Sequence, residues 1–224
     1  MLKKFALIVA GGSGNRMNQT VPKQFLELSG KPILMHTIEA FQGFDPTIEF
    51  ILVLPEDQFD YWKELCSRHK FGIPHQLAAG GSVRFDSVKN GLNAIQEDGI
   101  VFIHDGVRPF VSDQTLQNCL NGTLEKGNAL PVVPVTESVR FIENETSRAV
   151  DRSKYFLVQT PQTFKVSVIK AAYNQPYSEW FTDDASVLEN SGTPINTVVG
   201  NRENIKITYP EDLIQAEAFL SSKL

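Results

Sequence analysis

The chain reads as an α/β protein: a Rossmann-like, mostly parallel sheet with helices on both faces and an inserted β-hairpin arm. Three observations predict this. Short apolar runs alternate with helix-like segments over the first 135 residues. Runs such as Phe5-Ala6-Leu7-Ile8-Val9 and Ile100-Val101-Phe102-Ile103 are apolar throughout, as strands covered on both faces are. Near Ser138 the pattern changes to polar–apolar alternation followed by a polar turn.

The elements follow in order. Residues 5–9 form the first strand, and Pro32 opens a helix over 33–41. An apolar strand, 50–54, stops at Pro55, and a helix with mixed faces covers 56–69. Residues 75–79 make a short strand. The segment 83–95 is helical, with Val83, Val88, Leu92 and Ile95 broadly on one side. The strand 100–103 precedes a helix over 113–124, for which Ser112 is a natural cap. A fifth strand is expected at 129–135.

The rhythm then breaks. Ser138-Val139-Arg140-Phe141-Ile142-Glu143 reads as one strand, Asn144-Glu145-Thr146-Ser147 as a turn and 148–152 as the returning strand. A lone two-stranded hairpin is marginal and cannot bury its own apolar face. The arm, 136–152 within one domain of 1–224, is therefore expected to pack on a second subunit. Beyond it come a Thr-Pro-Gln-Thr turn, helices over 166–173 and 184–190, strands at 195–199 and 205–208, and a last helix after Pro210.

Composition narrows the function. A net charge of −5 argues against non-specific binding to nucleic acid or anionic membranes. The apolar run at the N-terminus is too short for a signal peptide or a membrane span, so the cytoplasm is the expected compartment. Cys66 and Cys119 form no C-x-x-C and read as reduced core thiols. His36, His69, His75 and His104 show no metal-ligand spacing and read as structural.

Ala10-Gly11-Gly12-Ser13-Gly14-Asn15-Arg16-Met17 follows the first strand, with Lys23 six residues on. Glycines let a backbone turn sharply and approach a ligand closely, and the two cations suit a triphosphate. A dinucleotide fingerprint would need glycine where Met17 stands. A Walker A loop would need Gly-Lys-Ser/Thr, but Gly30-Lys31 precedes proline. Other chemistry-bearing segments also fall at predicted strand ends, where open parallel sheets bind ligands. They are Gly80-Gly81-Ser82-Val83-Arg84 and His104-Asp105-Gly106-Val107-Arg108. Asp105 either pairs with Arg108 or faces a magnesium ion or a substrate hydroxyl. Arg152 and Lys206 are late basic residues, the second inside an apolar run.

Together these segments resemble the 2-C-methyl-D-erythritol 4-phosphate cytidylyltransferase family from Ala10 to Leu213. The motifs are the opening loop, Pro22-Lys23-Gln24, Gly80-Gly81-x-x-Arg84-x-x-Ser87-Val88, His104-Asp105-x-x-Arg108-Pro109, Asp151-Arg152, Gln159-Thr160-Pro161-Gln162, Thr182-Asp183-Asp184-Ala185-Ser186 and Asn204-Ile205-Lys206. The resemblance implies a fold of the nucleotide-diphospho-sugar transferase type. It implies attack of a sugar-alcohol phosphate on the α-phosphorus of CTP, with Mg2+, in a homodimer joined through the arm. By resemblance Arg16 and Lys23 stabilise the transition state, while Arg152 and Lys206 position the methylerythritol phosphate. Asp105 serves substrate and metal, and Ser138, Thr160 and Thr182 join it on the substrate side. Ala10, Gly11, Gly12, Ser13, Gly14, Gly81, Ser82, Arg84, Ser87 and Gly106 form the CTP side, with Gly81 and Ser87 toward cytosine and ribose.

Two positions depart from the family pattern: Ser82 stands where many members carry Asp, and Ser138 where many carry Thr. Ser82 keeps an oxygen but loses a charge, which shifts cytosine recognition toward backbone groups. A ribitol-5-phosphate cytidylyltransferase shares the opening loop, His-Asp-x-x-Arg-Pro and Thr-Pro-Gln. The Asp151-Arg152 and Thr182-Asp-Asp-Ala-Ser segments favour the methylerythritol enzyme. An NAD-dependent oxidoreductase is disfavoured by the missing glycine. A catalytically silent nucleotide-binding module is disfavoured by the filled charged positions.

Overall fold

The computed structural model describes residues 2–11 and 21–221. In chain order the strands are β1 (Lys4–Val9), β2 (Glu27–Leu28), β3 (Lys31–Pro32), β4 (Glu49–Leu54), β5 (His75–Ala79) and β6 (Ile100–Asp105). They continue as β7 (Asn128–Pro134), β8 (Arg140–Glu143), β9 (Thr146–Ala149), β10 (Phe156–Val158), β11 (Gln162–Lys165) and β12 (Thr197–Val199). The helices are α1 (Ile33–Phe44), α2 (Phe59–Arg68), α3 (Arg84–Ala94), α4 (Asp113–Lys126), α5 (Val166–Ala172), α6 (Asp184–Asn190) and α7 (Pro210–Ser221).

The main sheet runs β10-β7-β11-β6-β1-β4-β5, with β12 on β7. The strands β6, β1, β4 and β5 are mutually parallel. Successive side chains of β1 serve opposite faces, as the two-residue period of a strand requires. Ala6 and Ile8 join Leu34, Ile38 and Phe41 of α1 and Trp62 of α2 on one face. Phe5 and Leu7 join Val88 and Leu92 of α3 and Ile169 of α5 on the other. A third cluster, with Leu28, Val107 and Ile207, seats α7 through Ala216. Ser112 caps α4 as expected, accepting from the Thr115 N–H at 3.2 Å.

Three expectations need correction. The Thr-Pro-Gln-Thr segment is not only a turn, because Gln162 and Thr163 begin β11, which runs antiparallel between β6 and β7. Residues 205–208 are not a strand. They form a strap, held to the chain beside it by the Ile207 N–H donating to the Val107 carbonyl at 3.0 Å. The arm's turn is tighter than four residues. Asn144 and Glu145, with φ of 45° and 63°, make the two-residue connection, and the returning strand ends at Ala149. Arg152 therefore starts a short 3-10 turn.

The strands β8 and β9 pair with each other as a separate ribbon. That ribbon leaves Phe141 43% and Ile142 70% exposed, and β10 leaves Leu157 59% exposed. Among the described residues no helix is long and apolar enough to cross a membrane.

Candidate active site

The carboxyl ends of β1, β5 and β6 open onto a cleft of about 380 Å³. Ala10 and Gly11 form its floor, Gly81 and Ser82 one rim, and Lys23 and Lys206 reach it from separate segments. A second compartment of about 290 Å³ shares Arg84, Asp105 and Lys206 with the first and extends to Thr160 and Thr182. Lys206 reaches this junction because Ile207 beside it is buried in the α7 cluster.

Asp105 is the centre of charge at that junction. Its Oδ2 lies 3.1 Å from Arg108 Nε and 3.1 Å from Lys206 Nζ, and its Oδ1 lies 4.0 Å from Arg84 Nε. Burial pushes this carboxyl up, but Lys206, Arg108 and Arg84 outweigh burial and hold it far below the usual carboxylate range. Asp105 thus pairs with Arg108, the first of the two readings, and it also lines the cleft.

Beneath it His104 is fully buried. The Thr160 hydroxyl lies 3.0 Å from His104 Nδ1 and accepts the Asp105 N–H at 3.1 Å. His104 Nε2 lies 3.0 Å from the Arg108 carbonyl. This circuit closes with a neutral ring that donates from Nε2 and accepts at Nδ1. Burial pushes the imidazole down to about 4 from 6.5. Below pH 6.5 the unfolded chain takes a proton that the native ring refuses, so stability falls as pH drops toward 4. Acidification across that window is expected to cost on the order of 3 kcal/mol. Urea denaturation of the wild type and His104→Asn between pH 7 and 4.5 checks this; an equal slope in both would contradict it.

Arg84, at the start of α3, forks onto Asp184 at the start of α6, with Nη1–Oδ1 2.8 Å and Nη2–Oδ2 2.7 Å. Asp184 is 0% exposed and also accepts the Tyr173 hydroxyl at 2.7 Å. Burial and the neighbouring Asp184 push the Tyr173 pKa well up, so the phenol stays a donor. Both terminal nitrogens of Arg84 are thus committed, and the guanidinium acts as a wall between the compartments. Breaking a buried pair strands a charge. Asp184→Asn is therefore expected to destabilise the fold by about 3 kcal/mol. Chemical denaturation measures this, and wild-type stability would refute it.

The Gly81 N–H donates to Ser87 Oγ at 3.0 Å, and the Ser87 hydroxyl donates to the Val83 carbonyl at 3.1 Å. A Cβ on Gly81 would lie 2.2 Å from that of Asp86, so only glycine closes this turn. Ser82 donates to Asp86 at 2.7 Å, which returns a carboxylate to the rim beside the position where the charge was missing.

The structure thus gathers Ala10, Gly11, Lys23, Gly81, Ser82, Arg84, Ser87, Asp105 and Lys206 around the first compartment. Thr160 and Thr182 line the second. Gly106 lines neither. Its N–H bonds the Val9 carbonyl, and its Cα packs where a Cβ would come within 2.9 Å of Ala10 Cβ, so it joins β1 to β6. Ser138 and Arg152 stand on the arm, lining neither compartment. Gly12, Ser13, Gly14 and Arg16 lie outside the described residues. Asp184, Tyr173 and Gln162 escaped the sequence reading as site-forming residues. Their pairings span from 11 to 100 residues, and no local spacing signals them.

A mixed sheet with flanking helices and a cleft at its parallel strand ends is the architecture of a nucleotidyltransferase. The family described as 2-C-methyl-D-erythritol 4-phosphate cytidylyltransferase matches residues 5–222. The chain belongs to that family.

A relative of that name from Bacteroides fragilis is 52% identical over 215 residues, covering 96% of this chain and 98% of the relative. One from Bacteroides thetaiotaomicron is 49% identical, covering 98% and 100%. The crystal structure of the cytidylyltransferase from Thermus thermophilus superposes with a TM-score of 0.79 at 30% identity, covering 98% of both chains. A 4-diphosphocytidyl-2C-methyl-D-erythritol synthase from Anaerococcus prevotii superposes at 0.84 with 28% identity, covering 98% and 96%.

Proposed function

We propose that the protein joins CTP to 2-C-methyl-D-erythritol 4-phosphate, giving CDP-methylerythritol and diphosphate. The observation that carries this is the junction itself: two compartments that share Arg84, Asp105 and Lys206. An oxygen of the acceptor phosphate forms the new bond to the α-phosphorus. The bond from that phosphorus to the bridging oxygen breaks, and its electron pair leaves with diphosphate. The acceptor phosphate is already ionised, so no enzyme nucleophile is required. Burial pushes the Cys66 thiol up to about 11 and Cys119 up to about 12, which leaves both inert at neutral pH.

The obstacle is repulsion between two anions, and fixed cations remove it. Lys23 serves the triphosphate side and Lys206 the junction. Arg108 is tied down by Asp105 and by the Asn204 carbonyl at 2.8 Å, so it orients Asp105. Among the described residues no three acidic, His or Cys side chains could cage a metal. The donor set fits a magnesium ion that takes most of its ligands from phosphates and water, with Asp105 as the protein carboxylate. Such an ion would neutralise phosphate charge.

The arm supplies the remaining positions. Ser138 and Arg152 lie away from this chain's own compartments, and the arm and β10 expose apolar side chains. We read the active form as a homodimer in which each arm reaches the other subunit's acceptor compartment. The free thiols and the use of CTP fit the cytoplasm. Phosphorus NMR of the protein with CTP, magnesium and 2-C-methyl-D-erythritol 4-phosphate tests the reading. The expected result is loss of the acceptor monophosphate signal and growth of a bridged diphosphate ester; an unchanged monophosphate signal would refute it.

A further inference from the structure

The residues that line the second compartment are nearly all polar in type. Its walls include Arg84, Asp105, Arg108, Gln162 and Lys206, and the one apolar side chain among them is Val158. Most of the polar groups are already used. The Thr160 hydroxyl serves His104 and the Asp105 N–H. Gln162 donates to Asp183 at 2.8 Å and accepts the Ala185 N–H at 2.7 Å. Gln159 donates to the Asn201 carbonyl at 2.8 Å. Among the buried polar atoms of this wall Gln159 Oε1 is left without a partner.

Val158 is placed by β10. It sits opposite Val132 of β7, and the next N–H, of Gln159, donates to the Pro131 carbonyl at 2.9 Å. Val158 is 43% exposed and lines the compartment.

We infer that Val158 is a specificity-determining residue that receives the methyl branch of the acceptor. The inference rests on the functional reading above. That acceptor carries a carbon bearing both a methyl and a hydroxyl, which diverge tetrahedrally. Seating the methyl on Val158 removes apolar surface from water and turns the hydroxyl toward the polar wall. An unbranched polyol phosphate gains neither effect.

The test compares kcat/KM for 2-C-methyl-D-erythritol 4-phosphate and for D-erythritol 4-phosphate, in the wild type and in Val158→Thr, at saturating CTP. Threonine keeps the shape and the strand preference, so the fold is retained. One methyl in a closed pocket is worth about 10- to 200-fold. The half-open position of Val158 sets the expected loss near the lower end, about 10-fold for the methylated acceptor and under about 2-fold for the other. A purely structural role would lower both alike. An equal loss on both acceptors, or no loss, overturns the inference alone. A wild type that turns over neither acceptor overturns the functional reading, and this inference with it.

Discussion

Replacing Lys23 by alanine is expected to lower kcat roughly 100- to 1,000-fold at saturating CTP and magnesium. Lys23 follows the opening loop on a short 3-10 turn, Lys23–Phe25, and its side chain borders the larger compartment. Beside it Gln24 and Phe25 are buried, and Phe25 packs edge-on to Tyr61 at 5.3 Å, so the turn that carries the lysine is anchored to the core. A preorganised cation is worth most where negative charge concentrates as the fifth bond to phosphorus forms. The effect should therefore fall on kcat more than on the KM for CTP. Steady-state kinetics decides, and a kcat near the wild-type value would remove Lys23 from the transition state.

Deleting residues 138–150 is expected to give a monomer with activity reduced by about 100-fold or more, as loss of positioning groups does. The β8–β9 ribbon pairs within itself, so the main sheet keeps its hydrogen bonds when the ribbon is removed. The ribbon carries Phe141 and Ile142 in water, and it leads to Arg152 at a point outside both compartments of its own chain. Those facts make sense together if the arm works on a neighbouring copy. Sedimentation measures the oligomeric state, near-ultraviolet dichroism checks the core, and the same assay gives the activity. A fully active monomer would contradict the shared site.

Much of the fold was legible because the runs 5–9, 50–54 and 100–103 are apolar throughout. They became β1, β4 and β6, and helix signals such as Ser112 before α4 hold in the structure. Strand β11 was hidden for the opposite reason. Gln162 and Thr163 are buried at the centre of the sheet, yet they are polar and directly follow Pro161, which marks a turn. Their polar atoms are satisfied by partners remote in sequence, such as Asp183 and the Thr123 hydroxyl that donates to the Thr163 carbonyl at 3.1 Å. The strap 205–208 misled in reverse. Ile207 is as buried as a strand residue, but it is buried by α7 rather than by the sheet.

The site divides along the same line. Residues fixed by short motifs, Gly81, Ser87 and Asp105, lie where the sequence placed them. Gly106 does not line the cleft, because a glycine beside Asp105 can serve packing alone. The Arg84–Asp184 pair joins positions 100 residues apart and was invisible to any local pattern. Its consequence is electrostatic: the Arg84 guanidinium that lines both compartments already carries a buried counter-charge.

On the function proposed above, these compartments hold CTP and a methyl-branched polyol phosphate. Diphosphate release from CTP, measured in parallel with 2-C-methyl-D-erythritol 4-phosphate and with ribitol 5-phosphate, tests it most directly. Release is expected to depend on both CTP and the methylated acceptor, with a kcat/KM at least about 100-fold above that for ribitol 5-phosphate, the span one well-placed group can supply. Equal or faster release with ribitol 5-phosphate, or release that needs no acceptor, would contradict it.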